Sequence, residues 1–585
     1  MSQTTACSLD CYDACSIDIV DGKLKGSKDT YTHGYLCPHL NHYEDHERIT
    51  TPRYQGKEIS MDEAMQILEE KCAKVSDPSQ VLHYRGHGNF GLMQEVTDHF
   101  FANFGATLTD GSLCDGAGEA GIIEGRGHNK LLSPEQIAKS EVVIVWGRNI
   151  HTTNSHLLPF LKEKTIIVID PVKTKMAESA EHFVQIKPKG DLYLALMLSR
   201  FAIINSMEDE AFLEDHATEH EDFYELTQTV RIKAILESID ISLGDVGKIL
   251  ELVKGKRTVI LAGVGIQKYR HGADVMRAID SLAAILGLFG KEGCGVNFLG
   301  SSQEGISSPF STKAKTKPVT VGNAEFGRFE MAFIQGANPL NQMPDSNRVK
   351  ASMAKNPCVV YFGLYENETS AVADLVIPAK SFLEKDDIRS SYGHPGLLDM
   401  PTVVDSERGI SEYALAARLC NAFDIDLDSE LTYLEHFQSF GEKRETDTVV
   451  KGREEIPYSD GFETDDDEFC FLEEYDLAVD NGKDLFLLTV KSDKSLNSQF
   501  KRETQVYMNA SLGFSEGQRV RISSDNGELE LAVAIDERLR DDCILIYSGT
   551  AGVNVLTDSR LSYEGKNAAY QENKVKITTL KDNEC

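Results

Sequence analysis

The chain predicts a multi-domain α/β fold. It has a small β domain at the N-terminus, two parallel-sheet α/β units and a C-terminal β-barrel. Three observations carry this. Its 585 residues are too many for one core and fit three or four domains. Buried-strand patterns alternate with helical ones through the middle of the chain, as parallel sheets require. From Asp484 onward, β-rich segments follow one another with turns between them.

The N-terminal part is organised by Cys7, Cys11, Cys15 and Cys37, spaced C-x3-C-x3-C-x21-C. The short spacers keep three sulfurs on one loop. Asp21-Gly22 is a turn signal between two short strands, a hairpin that would return Cys37 to the other three. Four thiolates so placed suit one [4Fe–4S] cluster. Zinc is the competing metal, because four Cys also bind it tetrahedrally. Structural zinc favours paired C-x2-4-C knuckles, and the second pair is missing here.

Residues 60–76 carry apolar positions at helical spacing, with acids in the first turn. Residues 141–147 and Thr165–Asp170 read as buried strands, with the helical pattern NSHLLPFLKE between them. Thr258–Leu261 leads into a glycine turn and a long helix, Ala273–Leu288. Glu330–Gln335 and Cys358–Phe362 are the strands of a second α/β unit. Residues 454–476 hold eleven acidic side chains and no basic one. They read as a solvated linker, or else as an acidic docking arm for a redox partner. DLFLLTV, RVRISS, ELELAVAI and DCILIY, with the Asp525-Asn526-Gly527 turn, read as a barrel-like domain.

The net charge of −33 argues against nucleic-acid partners and anionic membranes. No run of 18 apolar residues appears, so no direct membrane insertion is expected. The start, MSQTTACSLD, has no apolar signal core and predicts a cytoplasmic protein. In a reducing compartment the other cysteines (Cys72, Cys294, Cys358, Cys420, Cys470, Cys543 and Cys585) are buried thiols. Cys114 is treated apart.

Four groups of motifs occur in series. They are CSLDCYDACS with GYLCPHL; IVWGRNIHTTNSH with VIDPVKTKMAESAEHFVQIKPKGD; FIQGANPLNQMPD with ADLVIPAKSFLEKDDIRSSYGH; and LNSQF with GTAGVNVLT and GKNAAYQENKVKI. In this order they resemble the molybdopterin-guanine-dinucleotide oxidoreductases of the dimethyl-sulfoxide-reductase superfamily. The resemblance implies one [4Fe–4S] cluster and two pterin dinucleotides holding molybdenum or tungsten. It implies an iron–sulfur domain at 1–50 and a discontinuous α/β domain at 51–135 plus 325–435. A second dinucleotide-binding domain follows at 136–324, then an acidic linker at 436–483 and a double-psi-like barrel at 484–585.

Pyrophosphates bind backbone N–H groups at glycine turns between strand and helix. Gly147 and Asn149, and Gly336 and Asn338, occupy such turns, although an ordinary tight turn explains each pair alone. Asp170, Gly190 and Asp191 are candidates for the ribose or guanine. Glu384, Asn497, Gln499, Asn554, Asn567 and Tyr570 are further cofactor contacts implied by the matching motifs. Such enzymes often add one protein ligand to the metal. Cys114, in TDGSLCDGAGEAGIIEGRGH, holds that position, and a soft thiolate suits a sulfur-rich site. Ser112 is the alternative. Gly111, Gly116, Gly118 and Gly121 would let the backbone approach a bulky cofactor. Asp115, Glu119 and His128 are candidate proton acceptors. The formate-dehydrogenase signature, His directly after the ligand, is not reproduced. His39 stands where many relatives carry Lys or Arg between cluster and pterin.

The expected function is two-electron redox chemistry on a small molecule, of the kind used in anaerobic respiration. Electrons would pass singly to or from a separate electron-transfer protein or iron–sulfur subunit. Two rivals stand beside it: an electron-relay subunit without the metal, and a non-redox hydratase on the same cofactor.

Overall fold

The computed structural model describes residues 3–86, 91–301, 303–310, 315–445, 447–475 and 482–580. Asp476 of the acidic run and Cys585 lie outside these.

A three-stranded antiparallel sheet, Gln3–Ala6, Ser16–Val20 and Lys23–Gly26, opens the chain. Asp21 and Gly22 join its last two strands with φ of 53° and 72°, the mirror-image turn that a tight hairpin requires. The cysteine loop 7–15 links the first two strands.

One parallel sheet runs His182–Val184, Thr165–Ile169, Val142–Trp146, Thr258–Ala262 and Gly295–Asn297. Val142–Trp146 is buried throughout because both of its faces are covered. Val142, Ile144 and Trp146 join the core that includes the helices Asp191–Ile204 and Gly272–Ile285, while Val143 and Val145 face a second core. The order of strand addition reverses between the parallel neighbours Val142–Trp146 and Thr258–Ala262, which creates a switch point at their carboxyl ends.

The other sheet has eight strands, in the order Val319–Thr320, Thr107–Asp110, Val81–Arg85, Met331–Gln335, Val359–Gly363, Leu375–Pro378, Arg53–Tyr54 and Lys57–Glu58. The first six are parallel and the last two antiparallel. Its switch point lies between Val81–Arg85 and Met331–Gln335. Six strands from Leu485 to Thr579 close the C-terminal barrel. Among the described residues, no helix is long and apolar enough to cross a membrane.

The described residues between 436 and 475 are not the free linker expected. Gly441–Lys443 and Thr448–Val450 form a hairpin, and Phe469–Cys470 pairs in parallel with Ala217–Thr218. Tyr458, Phe462, Phe469, Phe471 and Leu472 are buried in the core of the first sheet's domain. The acids alternate with these aromatics, so one side of the strap packs while the other stays wet. Lys130 ties Glu454 and Glu463 to it. Arg126 and Asp280 form a fully buried ion pair beneath the strap, with the guanidinium over the Phe289 ring at 4.9 Å.

Phe469→Ala is expected to destabilise the protein by about 3 kcal/mol through the cavity it leaves. Proteolysis within 450–475 should speed up with it. Neutralising Asp465, Asp466 and Asp467 should shift stability by less than about 0.5 kcal/mol. Urea unfolding and limited proteolysis of both variants check this, and equal losses would contradict the packed strap.

Candidate active site

A cavity of about 610 Å³ opens where the second sheet's switch point, the loop 111–115 and the barrel meet. Gly86 and Gly336 end its two central strands. A Cβ on Gly86 would lie 2.5 Å from Gly336 O, so only glycine lets these strand ends touch. Gly336 has φ of 57°, and a Cβ built on it meets nothing within 4 Å, which leaves a cradle open on that side. A smaller cleft of about 100 Å³ adjoins and shares Gly86, Gly336 and Gln499 with the cavity. The first sheet repeats the device. A Cβ on Gly263 would stand 2.0 Å from Gly147 O.

Cys114 lies on the cavity wall. Gln267, fully buried, donates from Nε2 to Cys114 O at 2.7 Å and accepts from Gly118 N at 2.9 Å. Ser112 Oγ donates to Asp115 Oδ1 at 2.7 Å and accepts from Cys114 N at 2.9 Å. The serine is thus spent in the turn, and the thiol is the group left to face the cavity. Burial pushes the Cys114 thiol up to about 11, Asp115 adds to this, and Lys268 and Lys491 oppose it. Lys268 Nζ lies 5.0 Å from the Tyr570 ring centre, and Lys491 Nζ lies 3.6 Å from Asp10.

Asp10 belongs to the cysteine loop yet lines this cavity, held by Asn497 Nδ2 at 2.8 Å. Cys7, Cys11, Cys15 and Cys37 share one neighbourhood. Burial, then the charge of Cys37, raises Cys7 to about 12, while burial and Asp13 lift Cys11 and Cys15 well above their usual value. Burial keeps these groups as thiols when nothing is bound, and a cationic metal would favour their thiolates. Among the described residues, no three His, Cys, Asp or Glu side chains converge tightly enough for a single ion. A cube asks for no such convergence, since each of its irons takes one sulfur. Cys15 Sγ is 3.2 Å from His156 Nε2, and Tyr35, 40% exposed, stacks on that imidazole at 4.0 Å. Two side chains therefore separate the loop from the surface.

At the first sheet's turn, Gly147 has φ of 61°. Asn149 Oδ1 and Asn154 Nδ2 are buried and find no partner among the described residues, as donors and acceptors awaiting a ligand do. Burial raises Asp170 to about 7 and Asp191 to about 6. Asp191 accepts from Trp146 Nε1 at 2.7 Å, and Gly190 precedes its helix. Asn338 is engaged by Glu368 and Ser498 at 2.7 and 3.0 Å. Asn497, Gln499, Asn554 and Tyr570 all line the main cavity.

Several expected residues stand elsewhere. Gly116, Gly118 and Gly121 face protein: a Cβ would meet Gly565 O at 2.2 Å, the Phe298 ring at 2.6 Å and Ala273 O at 2.5 Å. They serve helix packing; Gly111, with φ of 75°, serves the loop. Asn567 accepts from Ala117 N at 2.6 Å and so caps the helix Gly116–Arg126. His128 is off the cavity wall, behind Glu119, and its carbonyl accepts from Tyr458 at 2.7 Å. Glu119 does line the cavity, and burial raises its pKa. His39 stacks flat on Phe500 at 5.0 Å. Glu384 is paired in bidentate fashion with Arg48 at 2.7 and 2.8 Å and is not among the cavity's walls. Gln267, Lys268, Lys491 and Asp10 were not legible as site residues, because no spacing links them to Cys114.

A family model described as "Molybdopterin oxidoreductase" matches residues 48–395, and one described as "Molydopterin dinucleotide binding domain" matches 485–574. The probable oxidoreductase YyaE of Bacillus subtilis (strain 168) is 28% identical over 428 residues, covering 67% of this chain and 64% of its own length. The probable oxidoreductase YoaE of the same organism is 25% identical and covers 98% of each chain. Among solved structures, acetylene hydratase from Pelobacter acetylenicus superposes with a TM-score of 0.79 at 16% identity, over 99% of this chain and 100% of that one. That likeness concerns the fold.

Glu384 offers a stability test. Its carboxyl is held down to about 2, because hydrogen bonds from Arg48 and the Ser381 N–H outweigh burial. An unfolded Glu titrates near 4.3, so the pair's stabilisation is complete above that pH. It is lost as pH falls from about 4.3 through about 2. Glu384→Gln should cost about 3 kcal/mol at pH 7. The gap from wild type should shrink at pH 3 in urea unfolding, and a gap independent of pH would contradict the assignment.

Proposed function

Because the chain belongs to the molybdopterin oxidoreductase family, we propose that it is an iron–sulfur oxidoreductase acting on a small molecule at a bis-pterin molybdenum or tungsten centre beside Cys114. The observation that carries the reading is a thiol on the wall of the cavity between a glycine switch point and the barrel, beside a serine whose hydroxyl is already engaged by Asp115 and Cys114 N. When bound, the metal on its dithiolenes supplies two-electron chemistry, and the cluster supplies electrons one at a time. The turns at Gly147 and Gly336 would offer N–H groups to the pyrophosphates. Cys114 would supply one ligand to the metal, its loop held by Gln267. Lys268 and Lys491 favour its thiolate form.

Glu119, raised by burial, is suited to hold or return a proton on the cavity wall. Asp10 joins the cysteine loop to the same wall, which supports a short electron route between the two. Tyr35 over His156 gives a separate electron carrier an approach to Cys15. The reading favours catalysis over a bare relay, because the cavity and its ligand thiol are both present.

Anaerobically purified protein should hold about four iron and four sulfide per chain, with molybdenum or tungsten and releasable guanine nucleotide. Cys11→Ala should abolish the cluster's paramagnetic signal; zinc in place of iron would sink the cluster. Cys114→Ala should keep iron and most pterin but lose dye-linked turnover by about a hundredfold or more, since loss of groups that merely orient a ligand already costs about 10- to 100-fold. An unchanged molybdenum spectrum with wild-type turnover would remove Cys114 from the site. Turnover that needs no electron acceptor would move the reading to hydration.

A further inference from the structure

Arg389 is fully buried, and among the described residues no carboxylate pairs with it. It ends the strand Asp387–Arg389, which pairs with Leu398–Met400 in the domain of the second sheet. The loop that follows grips the cysteine loop. Ser391 Oγ donates to Tyr12 O at 3.4 Å, and His394 Nε2 lies 3.0 Å from Asp13 O. Gly393 approaches so closely that a Cβ would stand 2.4 Å from Tyr12 O. This grip sets the guanidinium beside Cys7 and Cys15, the groups of opposite charge that it feels.

Its hydrogen bonding is incomplete. Nη1 lies 3.4 Å from His394 Nε2. Nε and Nη2 are buried and find no partner among the described residues. A guanidinium is permanently charged and carries five donors. Burying it with two donor nitrogens unmet is unfavourable unless an anionic acceptor arrives. Cys15 and Cys7 are the charged groups that act on Arg389, and no acceptor among the described residues meets Nε or Nη2.

We propose that Arg389 is the fixed counter-charge of the iron–sulfur centre, donating hydrogen bonds to its sulfur and raising its reduction potential. The proposal rests on the reading that Cys7, Cys11, Cys15 and Cys37 hold a cluster. Reduction adds one electron from the carrier and leaves the centre more negative. A positive charge fixed in a dry, low-dielectric site stabilises that state more than the oxidised one. The charge comes from another domain, 374 positions beyond Cys15, so it does not depend on the local cysteine spacing.

The test uses the full chain with its cluster reconstituted anaerobically. Iron and sulfide content and the midpoint potential, from a redox titration followed by electron paramagnetic resonance, are measured for wild type, Arg389→Lys and Arg389→Gln. Arg389→Lys should load iron as wild type does and keep a potential near it. Arg389→Gln should load iron with a clearly more negative midpoint. Loss of iron in Arg389→Gln alone would equally show the need for charge. The proposal is overturned if Arg389→Gln keeps the wild-type potential, if Arg389→Lys shifts as far as Arg389→Gln, or if both variants lose iron alike. Wild-type protein that binds no iron would instead take down the cluster reading, and this proposal with it.

Discussion

Where the barrel meets the start of the helix Gly116–Arg126, two glycines stand backbone to backbone. A Cβ on Gly565 would lie 1.8 Å from Gly116 O, and one on Gly116 would lie 2.2 Å from Gly565 O. Any side chain here would force the two backbones apart by about an ångström or more. With the contact made, Asn567 reaches Ala117 N and caps the helix, and the barrel's Asn554 and Tyr570 come to the cavity wall. The loop bearing Cys114 ends where that helix begins, so the domain contact also fixes the thiol. Gln267, from the first sheet's domain, holds the loop from the other side. The cavity is thus a consequence of close packing between three units, and none of them contains it alone.

The cysteine loop is held by the same logic. Tyr12 donates to Asn297 at 3.3 Å and lies under Arg148 at 4.4 Å, which docks it on the first sheet. Asp13 accepts from Tyr31 at 3.2 Å and from His156 N at 3.3 Å. The 391–394 loop clasps it from the second sheet, and Asp10 reaches the cavity. Burial raises all four thiols, so on the proposed reading a metal centre would have to offset the cost of holding them as thiolates, and fold and centre would then be energetically coupled.

Much of this was legible in the residues, for identifiable reasons. Val142–Trp146 and Met331–Ile334 are continuous apolar runs, and a strand buried on both faces has no other pattern to show. Gly147 and Gly336 were legible because a turn between strand and helix needs positive φ there. The misreadings share one cause, partners distant in sequence. Gly116, Gly118 and Gly121 looked like a cofactor approach, but what approaches them is protein some 150 to 450 positions away. Glu384 and Asn567 sit in motifs of the expected kind, yet one meets Arg48 and the other Ala117. The charge count of 454–476 hid its aromatics, because acids set the composition while four aromatic side chains and one leucine set the packing.

Net charge illustrates the same limit at the site itself. At −33, the chain repels anions at long range, yet Lys268 and Lys491 face Cys114 and Arg85 joins them on the cavity wall. Surface charges fade over about 8 Å at physiological ionic strength. Inside the cavity screening is weaker, and there the two lysines oppose the burial that raises the Cys114 thiol. Asp10, Glu95, Asp115 and Glu119 share that wall, so the fold sets cations among acids without reversing the overall sign. The acidic surface acts on what approaches the protein, and the two lysines act on Cys114 itself. Composition speaks to the first, and only the fold, by bringing residues 85, 268 and 491 to residue 114, speaks to the second.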